Sequence, residues 1–329
     1  MQNQTALDFS SDAPAKFQLP IMQNPNNIEK SEILFLYESS YSVPNGDPFT
    51  GEQRYDEETK KILVSDVRIK RFIRDWLAHD ERNSIYVLNE APIKGASENA
   101  DPESGAAARF NAVLKKLGGN ATSIAVLQSL IDVRLFGGIS TKKGDAINLT
   151  GPVQFALLNP SLNSVDLRMH QNTSVFVSKS TNTRGAIGTT TVVPYALCLI
   201  HGWVNPYAAA HTALKSEDLK QMYAALWHSI NNANTRSKSN QNSLLMLQVI
   251  YAGENDKIYG LERKIKLQNH GDKRDEQLRS RDDWELDLSG LQNAAQSPKV
   301  KEIRFYSEDD DLNTQIAALG DKFRALESL

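Results

Sequence analysis

Two stretches of this sequence bring together residue types whose spacing could do chemistry. In the first, Asp132-Val133-Arg134-Leu135-Phe136-Gly137-Gly138 is followed by Lys142 and Lys143 and then by Thr150-Gly151-Pro152-Val153-Gln154-Phe155. This reads as a strand ending in a glycine pair, a basic loop and a second strand. Adjacent glycines allow positive φ and close approach of the backbone to a ligand, and lysines beside bare backbone supply the charge that a phosphate requires. The same residues also describe an ordinary β-connection with turn glycines and solvated lysines. In the second stretch, Asp47 precedes Asp56, Glu57 and Glu58 in one long loop. A metal-dependent nuclease needs such carboxylates to converge on a divalent ion at about 2.0–2.6 Å. Pro44, Asn45-Gly46 and Asp47-Pro48 are consecutive turn formers, which favours a structural turn there.

Other chemistry is excluded more simply. No Walker loop, G-x-S-x-G, H-E-x-x-H or kinase signature occurs, and the histidines at 79, 170, 201, 211, 228 and 270 are scattered singly. Cys198 is the only cysteine and lies in an apolar run, so a buried structural thiol is expected and disulfide or cysteine-rich zinc frameworks are not. The 329 residues, 40% hydrophobic, suffice for one large or two ordinary domains. No run of 18 apolar residues occurs and Met1 to Lys30 is polar, so neither a membrane span nor a signal peptide is expected and a cytoplasmic location is.

The net charge of −3 is unevenly spread. Between Val133 and Lys215 there are seven basic residues (Arg134, Lys142, Lys143, Arg168, Lys179, Arg184, Lys215) against two acidic ones (Asp145, Asp166). From Gly271 onward nine basic residues face fourteen acidic ones, among them Glu308 to Asp311. A basic middle and an acidic end suit a polyanion bound on one face, or head-to-tail contact between copies.

The elements that would position these residues follow from periodicity. Residues 1–29, interrupted by Pro14, Pro20 and Pro25, form a peripheral extension. Ile33 to Tyr37 is a buried strand. Asp66 to Leu77 is an amphipathic helix with Ile69, Phe72, Ile73, Trp76 and Leu77 on one face. Its other face carries Arg68, Lys70, Arg71 and Arg74, either solvated or part of a phosphate track. Ser84 to Leu88 reads as a strand, 90–108 as an insertion, and 106–117 and 123–130 as helical pieces. Residues 163–191 form a protruding hairpin with a polar, basic tip from Lys179 to Gly188. Tyr195 to Val204 and Ser243 to Tyr251 are strands, Ser216 to Ile230 is a helix, and Arg236 and Lys238 lie in the polar loop after it.

Without its insertions the order is strand, helix, strand, strand, helix, strand, that of a ferredoxin-like or RNA-recognition-motif core. The aromatics that would stack bases on such a sheet do not follow the usual pattern; only Phe136 and Phe155 qualify.

Several colinear motifs then carry a family resemblance. They are Ser31-Glu-Ile-Leu-Phe-Leu-Tyr37, Pro44-Asn-Gly-Asp-Pro48, Asp56-Glu-Glu-Thr59 and Val64-Ser-Asp-Val-Arg-Ile-Lys-Arg71. The Asp132 to Gly138 and Thr150 to Phe155 pair follows, then Val193-Pro-Tyr-Ala196, His201-Gly-Trp-Val-Asn-Pro206 and Ala225-Leu-Trp227. Together, over about 31–252, they resemble the backbone subunit of type I-B CRISPR Cascade, the Cas-seven family.

The resemblance implies an α+β fold: a palm at 30–258 like an RNA-recognition motif, helical fingers inserted at about 84–129, and a β-hairpin thumb at about 163–191. An acidic segment, 259–329, would pack on the core or on a neighbouring subunit. It also implies a sequence-independent guide-RNA-binding subunit that polymerises head to tail along the guide and presents its bases to target DNA. The setting would be antiviral defence or transposon targeting, with other Cascade subunits as partners, no membrane, no cofactor, no metal and no enzymatic activity. Arg134, Phe136, Gly137, Gly138, Lys142 and Lys143 would line the palm, and Arg168, Lys179 and Arg184 the thumb. Arg68, Arg71, Arg236 and Lys238 would be further RNA contacts, with Asn45 and Asp47 in the first loop. The alternative is a metal-dependent target-RNA endonuclease of the related type III kind, centred on Asp47. A small-molecule enzyme of ferredoxin-like fold would instead show a deep apolar pocket with converging polar groups.

Overall fold

The computed structural model describes residues 27–80, 83–88, 106–173 and 187–329. Lys179 and Arg184, most of the 1–29 extension and 89–105 lie outside the described residues. The first strand, β1 (Ser31–Ser42), is buried without interruption from Ser31 to Tyr37, which is why it reads as a continuous apolar run. The chain then makes a short hairpin, β2 (Tyr55–Asp56) with β3 (Lys61–Ser65). β3 passes directly into α1 (Asp66–Leu77), whose cap is Ser65, accepting from the Arg68 N–H.

The helices α2 (Ala106–Lys116), α3 (Ser123–Gln128) and α4 (Ile131–Phe136) lead to a second hairpin, β4 (Gly137–Ser140) with β5 (Ile147–Thr150). After β6 (Val153–Phe155) and β7 (Leu158–Pro160) come the long antiparallel arms β8 (Arg168–Thr173) and β9 (Ile187–Val204). Next are α5 (Pro206–Thr212), α6 (Ser216–Asn231) and β10 (Gln241–Tyr251). The last third holds β11 (Lys266–Asn269), β12 (Trp284–Asp287), α7 (Ser289–Ala295), β13 (Val300–Tyr306), α8 (Asp310–Ala317) and β14 (Phe323–Ala325).

The main sheet runs β14-β13-β10-β1-β9-β6. Within it β1, α1, β6, β9, α6 and β10 follow the expected β-α-β-β-α-β order, in the spatial order β10-β1-β9-β6 with all neighbours antiparallel. That is the ferredoxin-like arrangement. Alternate residues of β1 point to opposite faces. Ile33, Phe35 and Tyr37 join the α1 and α6 side chains Ile69, Ile73 and Trp227 in one core. Leu34 and Leu36 join Leu261, Trp284, Leu291 and Ile303 in a second. The last third thus covers the sheet face that an RNA-recognition motif leaves open for bases.

Three expectations change. The segment 131–136 is helix α4, not a strand. Its alternating pattern arises because it is buried on two sides: Ile131, Leu135 and Phe136 face the main core, while Val133 faces a third cluster with Leu127 and Leu130. A helix wrapped by two cores loses its diagnostic period. Phe136 and Phe155, with ring centroids 6.4 Å apart, are buried in the helix-side core and do not lie on an open face. Ser84 to Leu88, expected as a strand, joins no sheet. Cys198 is buried as expected, and burial pushes its thiol up to about 12.

The glycine pair serves the fold. Gly137 has φ +84°, and a Cβ there would lie 2.2 Å from the Leu149 carbonyl oxygen. A Cβ on Gly151 would lie 2.0 Å from the Phe136 carbonyl carbon. The close approach is of one backbone to another, joining α4 and β4 to β5. Gly151→Ala should therefore lower the unfolding free energy by more than about 2 kcal/mol in urea titration. Gly188→Ala, where a Cβ meets nothing within 4 Å, should stay within about 0.5 kcal/mol of the parent.

Candidate nucleic-acid interface

The polar face of α1 forms one wall of a groove of about 760 Å³. Asn45, Pro48 and Arg54 come from the loop after β1, Val87 and Leu88 from the segment 83–88, and Leu157 and Leu158 from the β6–β7 turn. Arg68, Arg71 and Arg74 project from α1 itself. Arg68 also lines a second recess of about 310 Å³, with Phe72, Trp76 and Lys238. The two recesses therefore form one basic track, with Arg68 at the junction.

Local hydrogen bonds tie the loop to the helix. Asn45 is buried, and its Oδ1 accepts from both the N–H (2.7 Å) and the Oγ (2.8 Å) of Ser65, the cap of α1. The Asn45 N–H donates to Gln53 Oε1 at 2.9 Å, closing the loop on itself. Asp47 accepts from the N–H groups of Phe49 (2.9 Å) and Thr50 (3.4 Å) and pairs with Arg54 at 3.1 Å. These backbone donors, with help from Arg54, hold its carboxyl below the usual carboxylate range.

The cations differ in how far they are neutralised. Arg71 pairs with Asp75 at 2.6 Å across one helical turn. Arg74 Nε donates to the fully buried Asp132 at 2.9 Å. The same carboxylate accepts from the N–H groups of Tyr86 (2.7 Å) and Val87 (3.1 Å), so Asp132 fixes both an arginine and the groove wall. Arg68 and Lys238 are in another situation. Among the described residues neither has a carboxylate within ion-pairing distance. The Arg68 guanidinium lies 3.8 Å over the Phe72 ring, and its Nε is buried without a partner. Lys238 donates to the Val43 carbonyl. Burial, and secondarily Arg68, push the Lys238 ammonium down to about 8.

Of the expected contact residues, Arg68, Arg71, Lys238 and Asn45 converge on this track, and Asp47 sits beside it through Arg54. Arg54 and Arg74 complete it; Arg54 gave no signal beyond its place in the polar return of the first loop. Arg134 stands apart. Its guanidinium donates twice to Asp218, both at 2.7 Å, and once to the Gln128 carbonyl at 3.1 Å, fastening α4 to the start of α6. Lys142 and Lys143 are exposed at the β4–β5 turn, Arg236 is exposed near Lys238, and Arg168 is exposed at the start of β8. Gly137 and Gly138 form the backbone joint described above.

The loop carboxylates are occupied locally. Asp56 accepts from the Thr59 hydroxyl (2.6 Å) and the Glu58 N–H (3.1 Å), and these bonds lower its pKa. Among the described residues no three His, Cys, Asp or Glu side chains converge on a metal-sized site.

The chain is thus an α+β protein with a ferredoxin-like core and an arginine-lined groove along its first helix. Within that class the chain belongs to the CRISPR-associated protein Cas7 family, whose model matches residues 29–289. It is 29% identical over 296 residues to the CRISPR-associated protein Cas7 of Haloferax volcanii, covering 80% of this chain and 82% of that one. Its fold is similar to a chain of a solved CRISPR RNA-guided surveillance complex, with a TM-score of 0.50 at 14% identity over 91% of this chain and 95% of that chain.

Because Arg134 balances a buried carboxylate, Arg134→Ala should cost about 3–5 kcal/mol in denaturant unfolding, chiefly by leaving Asp218 unpaired. The double variant Lys142→Glu, Lys143→Glu should unfold within about 1 kcal/mol of the parent.

Proposed function

We propose that this chain is a sequence-independent guide-RNA-binding backbone subunit of a CRISPR RNA-guided complex of the type I-B Cascade kind. The observation that carries the reading is Arg68, which lines both recesses, with Lys238 in the second, neither in ion-pairing distance of a carboxylate among the described residues, flanked by Arg54, Arg71 and Arg74. A phosphate entering there meets two cations that no carboxylate holds in an ion pair. Arg68 and Lys238 would hold one phosphate, and Arg71, Arg74 and Arg54 would follow the backbone onward. Family membership and the likeness to the Haloferax volcanii protein support the reading.

On this reading the ferredoxin-like core is the palm, the helical region within about 84–129 the fingers, and the β8–β9 arms the base of the thumb. Arg168 and Arg236 would touch RNA at the margins of the track, as would Lys142 and Lys143 at the tip of their turn. Arg134, Phe136, Gly137 and Gly138 would act by positioning. Copies would assemble head to tail with other Cascade subunits along the guide, leaving its bases to pair with target DNA, in the cytoplasm. Such a subunit works by holding RNA and has no catalytic step. An endonuclease centred on Asp47 is not favoured, since turn amides and Arg54 already use that carboxylate.

Binding of single-stranded RNA to the purified chain, measured by fluorescence anisotropy across a salt series, tests this. Arg68→Glu should weaken binding at least tenfold and make the salt dependence shallower by about 0.7 for each phosphate that is no longer neutralised. Unchanged affinity and slope would overturn the assignment.

Lys238 adds a pH dependence. A bound phosphate favours the charged ammonium, so RNA affinity should fall as pH rises from 7 through about 8 to 9, and Lys238→Arg should flatten that fall. The folding effect runs oppositely. Because burial lowers the ammonium from 10.5 to about 8, its charge costs stability below about 8, and raising the pH from 8 toward 10.5 relieves that cost. Urea unfolding of the parent and Lys238→Met across this range separates the two.

A further inference from the structure

We propose that the cleft on the other side of the sheet is a docking groove for an extended, acidic peptide segment of a partner protein, which adds to β11 as an extra strand. This cleft, of about 840 Å³, opens between β7 and β9 on one side and β11 on the other. Its floor is apolar and aromatic, with Leu199, Trp203, Ile258 and Ile265.

The first observation is a strand edge. Among the described residues β11 pairs only with β12, Lys266 opposite Asp287 through Asn269 opposite Trp284. Continuing that register, His270 lies opposite Asp283 and donates its N–H to the Asp283 carbonyl. Successive residues of an antiparallel strand turn their backbone groups to alternate sides. Lys266 and Gln268 therefore face β12, while Ile265, Leu267 and Asn269 present theirs to the other side. Ile265 and Leu267 line the cleft. Among the described residues the backbone groups of Leu267 and Asn269 make no hydrogen bond outside the β11–β12 pairing. At the far end of the same edge Asn269 Oδ1 is buried with no donor. An open edge over an apolar floor is a template for an added strand.

The second observation is charge. Lys257, Arg263 and Lys266 are exposed at the cleft. The nearby carboxylates are already engaged within the protein. Glu32 is buried, accepting from the Tyr251 hydroxyl (2.8 Å) and lying 2.6 Å from His201 Nε2. Asp275 accepts from the Ser164 N–H and the Asn269 amide, and Glu262 lies 3.4 Å from Arg263. The mouth therefore offers positive charge outward, most freely at Lys257, whose ammonium lies 5.9 Å from the centroid of the Trp203 ring. A strand alternating apolar and acidic residues matches this, one side on the floor and the other toward the lysines.

The test uses the full chain and a labelled, end-blocked nonapeptide of alternating valine and glutamate, followed by anisotropy and by amide hydrogen exchange. Saturable binding is expected, with new protection at 265–269. Binding should weaken at least tenfold when the central residue of the peptide is proline, and also in the variant Lys257→Glu, Lys266→Glu, whose altered residues are exposed. No saturable binding would overturn the proposal. So would binding that ignores the proline, or that leaves 265–269 unprotected, since either would mark an association made by charge alone. RNA binding at the α1 groove involves none of these residues, so the two readings fail independently.

Discussion

β1 is buried twice, and the rest of the chain is arranged around that constraint. Both its edges are paired, with β10 and β9, and both its faces are covered, Ile33, Phe35 and Tyr37 by the helices and Leu34 and Leu36 by the last third of the chain. A strand with no solvated side cannot shift register without moving large side chains between two different cores. Its end is therefore a fixed point, and from it departs the loop that carries Asn45. Two hydrogen bonds from Ser65 to Asn45 transfer that fixity to the cap of α1. The groove is thus assembled from elements whose relative positions the sheet has already decided.

Charge is handled in two ways in this molecule. Arg134 and Asp218 neutralise each other in a half-hidden bidentate pair, and Arg74 shares the buried Asp132 with two backbone amides. Each arrangement compensates the desolvation of its ions internally. Arg68 and Lys238 are compensated only in part, by an aromatic face and a carbonyl oxygen, and the depressed ammonium of Lys238 records the remaining cost. Two half-buried cations side by side, neither in ion-pairing distance of a carboxylate among the described residues, keep an unfavourable site that an anion would relieve.

Much of this was legible in the sequence, for physical reasons. The central strands and α1 and α6 each have one clear burial pattern, continuous or 3.6-periodic, so their types followed directly. The helix at 131–136 did not, because two cores bury opposite sides of it and the residual pattern alternates like a strand. The basic face of α1 was visible as a solvated face or a phosphate track, and it is this face that lines the groove. Arg54 was hidden because its approach requires the loop to close through Asn45 and Gln53. Arg134 looked like a free cation because its partner, Asp218, is distant in sequence, and neighbouring residue types carry no information about such a pairing. The acidic composition of the last third left open whether it packs on the core or on a neighbouring subunit; Trp284, Leu291 and Ile303 pack with Leu34 and Leu36 of β1.

That covering layer also limits what kind of recognition the groove can perform. With the far sheet face under Trp284 and its neighbours, no open array of aromatics remains there to stack bases. What the α1 groove mostly offers is guanidinium groups, which donate hydrogen bonds and accept none, beside the single carboxylate of Asp66. Asn45, the amide best placed to read a base edge, spends its oxygen on Ser65 and its Nδ2 on the Gly46 carbonyl. A surface made mostly of such donors discriminates phosphate from no phosphate more readily than one base from another. On the proposed reading, indifference to sequence would follow from this predominance of donors in the groove.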